Sequence, residues 1–153
     1  MDNIVITAQS NISNASYDLD KLSDQDRFRL IENEVFIFMI NISFNSMYKG
    51  FKYFKDIITY IVFHKLKEIN LSKELYPYIC KKYNISEVMV EKSLRLAIEQ
   101  ASCSYNTKRD DKSYVHNCIK TLYMKPQNKN VIACVADIIY NKIYNQKSYD
   151  FNY

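Results

Sequence analysis

A chain of 153 residues with one glycine and two prolines has few places to turn sharply, and that scarcity limits its fold more than any other feature. A sheet of short strands needs turn residues at every hairpin, whereas the apolar residues here recur at helical spacing over long stretches. The expectation is an all-α chain, a compact bundle of about six helices. The length suits one core and hardly two. Residues 1–22, rich in Asn and Ser and without sustained periodicity, read as a flexible N-terminal segment, and residues 23–153 as the helical domain.

Within that domain Ser23 is placed to cap a first helix, with Asp24 and Asp26 near its positive end and Phe28, Ile31, Val35, Phe38, Met39 and Ile42 inward. Ser46 is the expected start of the next, with Gly50, Phe51, Phe54, Ile57, Ile58, Ile61 and Val62 inward. Gly50 is the only glycine, and an interior glycine costs about 1 kcal/mol relative to alanine, so a close approach between helices is its expected role. Ser72 is a candidate cap for a third helix, which either starts nearer Tyr76 or kinks at Pro77. Val115, Cys118, Ile119 and Leu122 mark a later helix, and Asn128 is the expected cap of the last.

Leu75 to Ala101 reads as two helices joined by a tight turn at Asn84-Ile85-Ser86, with Ser86 as N-cap of the second. Val90, Leu94, Ala97, Ile98 and Ala101 form one stripe of that helix. Val88, Lys92, Arg95, Leu96 and Glu99 fall on the opposite side at 100° per residue. Such a pair is the minimum that can hold a rod in the DNA major groove, although two amphipathic helices and a short turn are commoner as plain bundle packing. Charge leans toward DNA. The net charge is +4, and from Lys81 to Arg109 six cations (Lys81, Lys82, Lys92, Arg95, Lys108, Arg109) face three anions (Glu87, Glu91, Glu99). The first thirty-four residues are acidic by contrast.

Four ordered blocks carry a resemblance. KGFKYFKDII (Lys49 to Ile58), LYPYICKKYN (Leu75 to Asn84), VEKSLRLAIEQA (Val90 to Ala101) and KPQNKNVIACVADII (Lys125 to Ile139) resemble the C-terminal DNA-binding (effector) domain of the sporulation stage-zero response regulator, the master regulator of endospore formation in bacilli and clostridia. The blocks keep the family's spacing from about Ile42 to Ile139, with one inserted residue after Ala101. The resemblance implies that LYPYICKKYN and VEKSLRLAIEQA are the two helices of the helix-turn-helix, the second being the recognition helix. It also implies double-stranded DNA as partner, with an RNA polymerase sigma factor, the full-length sporulation regulator and a second copy on DNA as further candidates.

Carried over by position, Glu91 matches a family Glu and Arg95 a family Arg. Lys92 stands where the family has a guanine-contacting Arg, and Leu96 where a His is usual. Val88 and Met89 replace a Ser and an Arg. Lys92 therefore keeps charge without the bidentate fork that suits guanine, and two groove-side donors have become apolar. The expected DNA-binding set is Lys81, Lys82, Ser86, Val88, Met89, Glu91, Lys92, Arg95, Leu96, Glu99, Lys108 and Arg109. The segment that helps engage the housekeeping sigma factor in the family corresponds here to Ser102 to Asn117, which is more polar and keeps little of the family's apolar pattern. The family's effector domain follows a phosphorylatable receiver. The residues preceding the match are too few for one, so control through expression, a partner or the N-terminal segment is expected instead.

Other classes fit poorly. One glycine cannot make a phosphate loop, His64 and His116 are not at metal spacing, and Glu91 and Glu99 lie too far apart for a carboxylate pair. No enzyme activity, cofactor or metal is expected. Cys80, Cys103, Cys118 and Cys134 form no CxxC pair and read as small apolar core groups in a reducing cytoplasm. The longest apolar run, Val35 to Ile40, is far short of the ~20 residues that span a bilayer, and no signal-like segment opens the chain, so a cytoplasmic protein without membrane contact is expected. Two function classes remain: a sequence-specific DNA-binding regulator acting as repressor or competitor, and a protein-interaction module that kept the fold, for which Val88, Met89 and Leu96 supply an apolar strip.

Overall fold

A computed structural model describes residues 18–105 and 113–145, and among them every regular element is helical. One 3-10 turn, Leu19–Lys21, precedes six α-helices: α1 (Asp24–Asn41), α2 (Lys49–Phe63), α3 (Tyr76–Tyr83), α4 (Glu87–Ser104), α5 (Tyr114–Met124) and α6 (Asn128–Tyr144). The all-α expectation holds. Most of the segment expected to be flexible lies outside the described residues.

Local chemistry sets most of the boundaries. Ser23 caps α1 by accepting from the Asp26 N–H at 3.1 Å, with Asp24 and Asp26 in the first turn. Ile31, Val35, Phe38 and Met39 are buried along that helix, whereas Phe28 is half-buried. Helix α2 begins at Lys49, three residues later than Ser46 would place it. Asn45 is the reason: its carboxamide oxygen accepts from the Met47 N–H at 2.9 Å and its carbonyl from the Tyr48 N–H, so a turn consumes these groups before the helix starts. Ser72 lies inside a wide turn of π type, Leu71–Leu75, where Asn70 accepts from the Lys73 N–H. Helix α3 then starts at Tyr76 with Pro77 in its first turn, where a missing N–H does no harm. Asn128 is the first residue of α6 and does not cap it; its side chain is engaged elsewhere.

The core surrounds α2, which packs on α1, α4 and α6 and buries Phe51, Phe54, Ile57, Ile58, Ile61 and Val62. Gly50 fulfils its expected role. A Cβ built there would lie 2.0 Å from the Ser93 carbonyl oxygen and 2.8 Å from the Ala97 Cβ, so α2 and α4 meet nearly backbone to backbone. Two buried polar contacts tie the later helices in: Tyr105 Oη to His116 Nδ1 at 2.8 Å, and Tyr123 Oη donating to the Ile42 carbonyl at 2.8 Å. The cysteines depart from expectation. Cys103 is exposed and Cys80, Cys118 and Cys134 are half-buried, because each falls at the edge of its helix's apolar stripe. Burial still pushes the Cys134 thiol up to about 11.

Burial also raises the hydroxyls of Tyr83 and Tyr123 above their ordinary value of 10. A group whose folded pKa is raised gives stability that is complete below the unfolded pKa and is lost as pH rises through the folded one. Resistance to urea is therefore expected to change little for these tyrosines up to about pH 9 and to fall above pH 10. For the buried Tyr123 the loss approaches about 1.4 kcal/mol per pH unit. Tyr123→Phe should flatten the alkaline limb of the unfolding midpoint against pH, while lowering the neutral plateau by about 1 kcal/mol for the lost hydrogen bond. An unchanged alkaline limb would show that Tyr123 ionises freely in the folded protein.

Candidate nucleic-acid interface

Helix α3 stops at Asn84, which adopts the left-handed conformation (φ 53°, ψ 54°) tolerated by asparagine and sends its N–H back to the Cys80 carbonyl. Ile85 follows, and Ser86 then caps α4 by accepting from the Met89 N–H at 3.3 Å. A helix of eight residues, three connecting residues and a helix of eighteen are thus joined by the chemistry of two side chains.

One side of α4 is fixed. Val90, Leu94, Ala97, Ile98 and Ala101 are buried, as their spacing predicts, and Gly50 brings α2 against Ser93. The Gln100 side chain accepts from the Asn45 N–H at 3.1 Å and donates to the Ser43 carbonyl at 3.4 Å, fastening α4 to the α1–α2 turn. Near the other end, Asn128 Nδ2 donates to the Glu91 carbonyl (3.3 Å) and to Tyr76 Oη (3.4 Å). The start of α6 is therefore clasped to the second turn of α4 and the first of α3. Tyr76 is 5 % exposed, and burial raises its hydroxyl, with Glu91 and Glu87 adding to the effect against the Asn128 hydrogen bond.

The opposite side is open. Glu87, Val88, Met89, Glu91, Lys92, Arg95, Leu96 and Glu99 are all exposed, Val88 most of the apolar ones at 73 %. Lys92 and Arg95, one turn apart, are in no ion pair with any described residue. Lys81, in the last turn of α3, is likewise exposed and unpaired. Its neighbour Lys82 is not free. Lys82 Nζ lies 3.0 Å from the buried Asp56 carboxylate, which also accepts from Tyr83 Oη at 2.5 Å. Burial works against the Lys82 charge, but the Asp56 hydrogen bond and charge outweigh it and raise its pKa. Ser86 is committed to capping, and Lys108 and Arg109 lie outside the described residues.

The α4 face was legible in the sequence; two contacts that hold it, Asn128 to Glu91 and Gln100 to the α1–α2 turn, were not, nor was the contact of Asp56 with Lys82 and Tyr83 that ties α3 to α2. Asp56 did leave a trace, as a carboxylate set directly before Ile57 and Ile58 in an otherwise apolar stripe.

A long helix anchored along one side, open on the other and set behind a shorter helix across a capped turn fits the arrangement of a helix-turn-helix. Residues 35–139, more than half of the chain, match the family described as sporulation initiation factor Spo0A C terminal, and the chain belongs to that family. It is thus a DNA-binding effector domain of transcription regulation in sporulation. Among the described residues no helix is long and apolar enough to cross a membrane.

Proposed function

We propose that this chain is a sequence-specific regulator whose effector domain occupies promoters as a repressor or competitor in the cytoplasm. The observation that carries this reading is the exposed, unpaired pair Lys92 and Arg95 on the open side of α4. The site comprises Lys81, Val88, Met89, Glu91, Lys92, Arg95, Leu96 and Glu99, with Ser86 as cap. Lys82 contributes charge at the edge while tethered to Asp56. Val88 and Met89 reset the choice of sequence, since valine suits a thymine methyl where a hydroxyl would seek a donor or acceptor. The sigma factor, the full-length regulator and a second copy on DNA remain the partners to test.

A second reading rests on one observation: Val88, Met89 and Leu96 are 73, 49 and 45 % exposed. An apolar strip of this kind suits a protein partner, and the domain would then act by binding another protein instead of DNA.

The double variant Val88→Ser, Met89→Arg separates the two. Both positions are on the surface, so stability should stay within about 0.5 kcal/mol of the parent. The DNA reading expects tighter binding to the family's G/C-containing box in a gel shift. Loss of a protein partner in a pull-down with no gain on DNA would favour the interaction module. A large fall in melting temperature would mean that these side chains support the fold.

A further inference from the structure

Helix α6 brings two cations beside the recognition helix that the helix-turn-helix itself does not contain. The Asn128 side chain is bonded to the Glu91 carbonyl, so the residues around it are pinned against the flank of α4 in its N-terminal half. Lys125, in the link before α6, and Lys129, in its first turn, bracket Asn128 and are both exposed. Neither is in an ion pair with a described residue, although Glu87 and Glu91 lie close enough to act on the neighbouring Tyr76. Some other cations are held by carboxylates of the fold: Lys82 by Asp56, Lys142 by the buried Glu34, Lys55 by Glu32.

The major groove is about 12 Å wide, close to the diameter of a helix with its side chains. With α4 in the groove, an element against its flank stands over the rim, where the phosphates are. A lysine carries its ammonium on a flexible four-carbon stem and meets a phosphate as a point charge without reading a base. We infer that Lys125 and Lys129 form a second phosphate-contacting element at the start of α6, which fixes how α4 lies in the groove, while Asn128 holds that element in register. The inference rests on the DNA-binding reading and extends it to a helix outside the helix-turn-helix.

The test is a salt titration of DNA affinity for the full chain and for Lys125→Gln, Lys129→Gln, on the family's box and on a scrambled duplex. The control is Lys65→Gln, Lys67→Gln. Lys65 Nζ lies 4.5 Å from the Tyr144 ring centroid at the far end of α6, about 20 Å along the helix from Lys129 at 1.5 Å per residue. Two phosphate contacts should make the slope of log K against log salt shallower by about 1.8 and weaken both duplexes by the same factor. The control should keep the parental slope, and the Lys125, Lys129 variant the parental melting temperature. A parental slope in the Lys125, Lys129 variant would overturn the inference and leave the DNA reading intact. A loss confined to the box would overturn it too, since the lysines would then be reading bases. Failure of the unmodified chain to bind either duplex would overturn the DNA reading, and this inference with it.

Discussion

Gly50→Ala is expected to destabilise the protein at or above the upper end of the range of about 1–3 kcal/mol seen for overpacked cores. On propensity alone the change should help, by about 1 kcal/mol, because alanine is the better helix former. Contact decides the sign. The new methyl would sit 2.0 Å from a backbone oxygen, that of Ser93, and 2.6 Å from its carbonyl carbon. Neither atom can swing aside as the end of a flexible side chain would, so α2 and α4 must separate. That separation also tilts the exposed side of α4, so DNA affinity should fall with stability and not independently of it. The checks are the urea midpoint with an unchanged m-value, and the gel-shift affinity. A variant as stable as the parent would mean that the two helices do not approach this closely in solution.

The second large effect is on affinity. Lys92→Ala with Arg95→Ala removes two exposed, unpaired cations from successive turns of α4. Base-edge contacts of this kind are worth about 1–3 kcal/mol each, so the pair should weaken box binding by about 100-fold or more. The melting temperature should barely move, because neither side chain has a partner to lose. The two changes should also differ in kind. Arg95→Lys, which keeps charge but removes the planar fork, should lose discrimination between matched and scrambled DNA more than overall affinity. Box affinity unchanged in the double variant would mean that another surface makes the contact, and would favour the protein-interaction reading carried by Val88, Met89 and Leu96.

What the sequence made legible was whatever depends on near neighbours. The stripe Val90, Leu94, Ala97, Ile98 and Ala101 follows from helical periodicity, and all five residues are buried. Ser23 and Ser86 cap as expected because a cap needs only the N–H groups one turn ahead. Gly50 was legible through scarcity: a lone glycine inside a strong helical pattern needs a reason, and Ser93 supplies it. Competing acceptors and distant partners were not legible. Ser46 has the right chemistry to cap α2, but the neighbouring Asn45 takes the local N–H groups first. Asn128 has the right chemistry to cap α6, yet it is already the first residue of that helix, and its amide donates instead to the Glu91 carbonyl, thirty-seven residues earlier in the chain. Lys82 looked like a free surface cation until the fold brought Asp56 from α2 to meet it. For Ser46 the competitor is a sequence neighbour, whereas Asn128 and Lys82 are engaged by contacts that only the tertiary structure creates.

The most direct test of the account is a gel-shift titration of the unmodified chain at several salt concentrations, on the family's G/C-containing box and on a scrambled duplex of the same length. The account predicts tighter binding to the box, with log K falling linearly against log salt at a slope of about −0.9 for each phosphate neutralised. A chain that retards neither duplex at low salt, or binds both equally at every salt concentration, would contradict it.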